Sequence, residues 1–174
     1  MHAILHPIRL SPRHSSSLRN AVIVAALALA PLGAGCAGRM IPNTDVEDTS
    51  ENRTVVEFVE QYRHAMEERN PGQILRLVSD DYYDDNGTPT TSDDIDYGML
   101  QERLARLDDD VLEVRYEMRY RRVIFRDDRV LVDFTYTGRF KIRGPDGERW
   151  ARRLADNRLE LVRQDGEYRI LSGL

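Results

Sequence analysis

Cysteine occurs once in the 174 residues, at Cys36, and tryptophan once, at Trp150. A single thiol excludes an intramolecular disulfide, so stability must come from a packed core. Histidine is nearly as scarce: His2, His6 and His14 lie near the start, and only His64 follows. Zinc and copper sites draw on clusters of His and Cys, and nucleophilic triads need an imidazole beside Ser or Cys. Neither set is available, so no metal or other cofactor is expected. No apolar run reaches the roughly 20 residues of a permanent membrane helix. The 25 basic residues are outnumbered by 30 acidic ones, giving a net charge of −5. That balance argues against a nucleic-acid partner, which needs a basic surface. With 41% apolar and 32% charged residues, the chain has a globular composition, and its length fits one domain.

Acidic residues are also missing from a whole segment. Residues 1–35 contain no Asp or Glu but carry Arg9, Arg13 and Arg19, followed by an apolar run from Ala21 to Ala30 and by Gly33-Ala34-Gly35-Cys36. A basic start, a short apolar stretch and small residues before a cut describe a secretory signal peptide. The last four residues resemble the lipobox of bacterial lipoproteins, in which small residues precede a Cys that becomes lipidated and N-terminal. Gly33 stands where that pattern usually has a large aliphatic residue. The resemblance implies export and anchoring to the membrane through acyl chains on Cys36. Ala37 after the Cys, rather than Asp, implies the periplasmic side of the outer membrane. A chain starting at Cys36 has 139 residues, with 22 bases against 30 acids and a charge of −8.

Residues 36–53 are polar, aperiodic and contain Pro42, which reads as a lipidated Cys and flexible tether with a reach of about 20–25 Å. The folded domain is expected over 54–174. Thr54 and Glu57 form a capping-box pattern, and Val55, Phe58, Val59, Tyr62 and Met66 then recur at helical spacing. Asn70-Pro71-Gly72 stops that helix and caps the next, and a third helix fits about 95–108. From Val111 the apolar period becomes two, and the phase shifts near Arg121-Arg122. Turns are expected at Arg126–Arg129, Gly144–Gly147 and Asp165-Gly166. The strand that starts at Trp150 and Leu154 goes out of phase before Leu159 and Leu161, which predicts a bulge.

Helices followed by a long antiparallel meander give an α+β fold: N-terminal helices packed on a curved, mainly antiparallel sheet. The segments TVVEFVEQYRHAMEERNPGQILRLVSDDYYDDNG and LELVRQDGEYRILSGL resemble the opening helices and terminal hairpin of the nuclear transport factor 2-like superfamily. That superfamily includes SnoaL-like polyketide cyclases and ketosteroid isomerases. The resemblance covers 54–174 and implies a cone with an apolar pocket, plus an outer sheet face suited to a homodimer. It specifies no activity, because this fold hosts enzymes and binders alike.

Strict alternation from Trp150 places Trp150, Arg152, Leu154 and Asp156 on the inner face, where Tyr62, Tyr116, Tyr120 and Tyr136 supply hydroxyls. These are the pocket candidates, with Asp156 the one weak catalytic candidate. His64 lies opposite the apolar stripe and is expected in solvent. The acidic run from Asp80 to Asp96 matches a calcium loop at only two positions, Asp84 and Asn86, with Gly87 at the turn, and reads as a solvated loop. Two functions follow: a membrane-anchored domain that binds a small apolar ligand or a protein partner without catalysis, or a SnoaL-like isomerase, cyclase or hydrolase of a hydrophobic carbonyl compound.

Overall fold

Asn70 accepts a hydrogen bond from Gln73 N at 3.0 Å through its side chain, and Pro71 occupies the first helical position. This junction breaks the apolar sequence into α1 (Ser50–Glu67) and α2 (Pro71–Leu77). The computed structural model describes residues 38–106, 111–145 and 147–174. The expected signal peptide, residues 1–35, and the expected lipidation site Cys36 lie outside the described residues. After α2 come β1 (Tyr83–Asp84), β2 (Ile95–Asp96) and α3 (Tyr97–Ala105), then β3 (Val111–Arg126), β4 (Arg129–Gly144), β5 (Gly147–Gln164) and β6 (Glu167–Ser172). The last four form one antiparallel sheet in chain order, while β1 and β2 make a small pair of their own. The result is an α+β cone: three helices on a curved antiparallel sheet.

Helix α1 buries Val55, Val56, Phe58, Val59, Tyr62 and Ala65, and packs against β3. Each large apolar side chain removed from water there contributes about 1.5–3 kcal/mol. The inner face of the sheet answers with Val114, Tyr116, Tyr120, Val132, Phe134, Tyr136, Leu159, Leu161 and Ile170. A register shift between Tyr120 and Arg122 carries Val123 and Phe125 onto the same strand face, at the expected position.

The tether is corrected from Gly38 onward. Met40 bridges Glu47, and Val46 is buried in the core. Asp45 N donates to Tyr120 O at 2.9 Å, and the Asp45 carboxylate accepts from Arg119 and Arg121 at 2.9 and 2.8 Å. Helix α1 accordingly starts one turn early: Thr49 caps it by accepting from Asn52 N, and Thr54 Oγ1 donates instead to Ser50 O. The packing here is done by a turn at Pro42-Asn43, with Asn43 at φ 63°, and a turn has no period to read. Helix α3 uses Asp96 as its cap, through Met99 N.

Strand β5 carries the second correction. It pairs with β4 without a shift from Arg129↔Val162 to Gly144↔Gly147. Side chains alternate strictly along an unbroken strand. With Leu159 and Leu161 buried inside, Ala155, Arg153 and Ala151 also face inward, and Trp150, Arg152, Leu154 and Asp156 face outward. The expected bulge is absent from this pairing; Trp150 and Leu154 are 49% and 62% exposed.

Because Val46 belongs to the core, Val46→Ala is expected to lower unfolding stability by about 2 kcal/mol in urea titrations. An unchanged midpoint would return 38–49 to the status of a tether.

Candidate functional site

Large residues on β4 face small ones on β5: Tyr136 pairs with Ala155 and Phe140 with Ala151, while Phe134 pairs with Asn157. That mismatch leaves space inside the cone. A cavity of about 770 Å³ opens there, lined by Tyr62 and Met66 from α1, Tyr116 from β3, Tyr136 and Phe140 from β4, and Arg153, Ala155 and Asn157 from β5. Arg103 from α3 and the Asp84–Gly87 loop complete its mouth with Gly173 and Leu174.

The floor is a tyrosine cluster. Tyr116 stacks on Tyr136 with ring centroids 5.1 Å apart, and Tyr62 meets Tyr116 edge-on at 6.4 Å. Burial raises the Tyr62 and Tyr116 phenols above their ordinary 10.0, and neighbouring Tyr136 adds to both shifts. They therefore stay protonated and act as hydrogen-bond donors rather than bases. Arg153 lies over the Tyr136 ring at 5.9 Å. Neither Arg103 nor Arg153 has an ion-pair partner among the described residues. The cavity is consequently more polar than the expected apolar pocket.

Its mouth is held by the last residues of β6 and beyond. Gly173 N donates to Asp84 Oδ2 at 2.8 Å, Leu174 N donates to the Tyr82 hydroxyl at 3.1 Å, and Asn157 Nδ2 donates to Gly173 O at 2.9 Å. Asn86 N occupies the other Asp84 oxygen at 2.9 Å. Gly173 has φ +100° and leaves no room for a Cβ, which would fall 2.0 Å from Arg158 O.

The expected site residues divide. Tyr62, Tyr116 and Tyr136 line the cavity. Tyr120 does not; its hydroxyl donates to Glu60 Oε1 at 2.6 Å between β3 and α1, and burial followed by that carboxylate raises its pKa. Trp150 and Arg152 stand on the outer face of the sheet. Asp156 borders the cavity only as part of the β5 wall: its carboxylate accepts from Thr135 Oγ1 at 2.6 Å in the outer row. Residues that the sequence reading missed are Arg103, Arg153 and Asn157, and the inward alanines were the available signal. His64 is exposed. In the acidic loop, Asp84, Asp85 and Asp93 accept hydrogen bonds from Asn86 N, Gly87 N and Thr88 Oγ1. Among the described residues no group of three His, Cys, Asp or Glu is placed to hold a metal ion.

Solved structures share this architecture. A conserved protein from Planctomyces limnophilus superposes with a TM-score of 0.60 at 10% identity, covering 71% of this chain and 92% of its own. A candidate dehydratase of the NTF2-like family from Streptomyces avermitilis gives 0.55 at 13% identity, over 70% and 92%. The fold is that of the nuclear transport factor 2-like proteins. A ketosteroid isomerase-like protein from Erwinia carotovora atroseptica gives 0.57 at 14% identity, over 72% and 94%. No family model and no curated protein matches the chain. At these identities the NTF2-like likeness concerns the fold alone.

The raised tyrosine pKa values fix the sign of an alkaline effect. An unfolded phenol ionises near 10.0, whereas Tyr62, Tyr82, Tyr116 and Tyr120 in the folded chain ionise above it. Their contribution to stability is complete below pH 10 and is lost as pH rises through the folded values. Spectrophotometric titration should show these four phenols ionising only with unfolding. Early reversible ionisation of all eight tyrosines would contradict the packing.

Proposed function

We propose that this protein is a lipid-anchored domain of the cell envelope that binds a small amphiphilic molecule without transforming it. The anchor is Cys36, and the location is the periplasmic side of the outer membrane. The ligand pairs a flat apolar body with an anionic group. One observation carries the reading: Arg103 and Arg153 line the cavity with no carboxylate partner among the described residues, and Arg153 lies over the Tyr136 ring, opposite which Ala155 leaves space. A guanidinium at a cavity wall favours an anion through charge-assisted hydrogen bonds, and aromatic rings favour a flat partner. The Asp84 carboxylate is already engaged by Asn86 N and Gly173 N, and the tyrosines stay protonated, which supports binding over acid–base chemistry.

The alternative is isomerase-type or dehydratase-type turnover of a carbonyl compound. It now rests on Asp84 rather than Asp156, because Asp84 lines the cavity mouth, where it also accepts from the Tyr82 hydroxyl at 3.4 Å, whereas the Asp156 carboxylate is held in the outer row. Turnover abolished by Asp84→Asn with unchanged substrate binding would favour this second reading.

The binding reading is tested with 8-anilinonaphthalene sulfonate, a flat apolar probe with one anionic group. Arg153→Glu should weaken its binding about tenfold or more, the loss of one charge-assisted contact. Ala155→Trp should abolish binding by filling the space opposite Tyr136. Probe fluorescence indifferent to both changes would sink the cavity as a ligand site. Anchoring is tested apart: Cys36→Ser should move the protein from membrane fractions to the soluble fraction, and unchanged retention would count against lipidation.

A further inference from the structure

The outer face of the sheet is charge-paired along most of its length. Arg122 and Arg158 flank Asp133, with nitrogen–oxygen distances of 2.7 and 2.6 Å, and Arg129 meets Glu160 at 2.5 Å. One row differs. Arg115, Arg139 and Arg152 stand in register across β3, β4 and β5, three cations side by side. Like charges directly opposite on neighbouring strands are destabilising. Arg115 has Glu113 at 3.0 Å and lies over the Trp150 ring at 5.5 Å. Arg139 and Arg152 have no ion-pair partner among the described residues. Together with Trp150 and Ala151 the three arginines enclose a shallow depression of about 370 Å³. On either side of Arg152 along β5 stand the exposed Trp150 and Leu154.

We propose that this row is a docking surface for a bilayer bearing anionic phospholipid. Two features of the molecule select that occupant. The surface is cationic on a chain of net charge −5, so its attraction is local, within a Debye length of about 8 Å. Its exposed apolar groups are an indole and a leucine flanking a guanidinium, a combination that suits the headgroup boundary.

The test uses the chain from Gly38 to Leu174, a compact unit with its own core that lacks Cys36. Its single tryptophan is the reporter. With vesicles of phosphatidylglycerol in phosphatidylcholine, Trp150 emission should shift to the blue and the protein should pellet. With phosphatidylcholine alone, or in high salt, neither should occur. Arg139→Glu with Arg152→Glu should weaken binding about 30-fold or more, from two lost lipid attractions. Arg139→Glu by itself should raise the melting temperature without lipid, since it sets an acid between two arginines, while lowering vesicle binding. Arg122→Glu, in the paired region of the same face, should leave binding unchanged. Equal pelleting on neutral vesicles, no pelleting at all, tighter binding of a DNA oligonucleotide, or a lipid-free dimer that buries Trp150 would each overturn the proposal. Because Cys36 is absent from this protein, a negative result leaves anchoring untouched, and failure of anchoring leaves the vesicle result standing.

Discussion

The unbroken pairing of β4 with β5 is the constraint on which the rest of the structure depends. With no shift between Arg129↔Val162 and Gly144↔Gly147, the buried Leu159 and Leu161 dictate the face of every other β5 residue. The same parity puts small residues inside, opposite Tyr136 and Phe140, and large or charged ones outside. A single inserted residue would exchange the two sets. The inner cavity and the outer arginine row are thus two consequences of one register, and neither can be altered by a slip without loss of the other.

Much of this fold was legible because it follows from local rules. Asn70-Pro71 as a helix start, the phase change at Tyr120–Arg122 and the turn at Asp165-Gly166 each have a steric or hydrogen-bonding cause that acts within a few residues. The site was less legible because hydrophobicity was read as direction. Trp150 and Leu154 are apolar, yet they lie outside. The inward positions hold Ala151, Ala155 and Arg153, whose small or charged side chains break an apolar alternation. A cavity is a place where the core is not filled, so the pattern that signals a core is weakest there. The tyrosines were easier to place, since Tyr62 and Tyr116 follow the helix and strand periods of their own elements.

The segment before α1 shows the complementary error. Aperiodic and polar sequence reads as a flexible spacer, but Val46 is buried in the core while Asp45 pairs with two arginines of β3. A turn can pack two residues and leave the rest in water, and its composition then differs little from that of a linker. From Gly38 onward the segment is therefore part of the domain rather than a spacer to it.

Fastening and charge pairing reinforce each other. Arg119 and Arg121 share the Asp45 carboxylate, which comes from that same early segment, so seating the segment offsets part of the positive charge at one end of the β3 face. The row at Arg115, Arg139 and Arg152 lies farther along the strand and, among the described residues, finds only Glu113. An acidic chain has carboxylates enough to balance three arginines, but those around β1 and β2 are engaged with Asn86, Gly87, Thr88 and Gly173 in shaping the cavity mouth. The charge distribution therefore follows from the division of labour in the fold: acids order the loops over the cone, and among the described residues Arg103 and Arg153 remain without ion-pair partners on the cavity side of the β5 wall, Arg139 and Arg152 on its outer side.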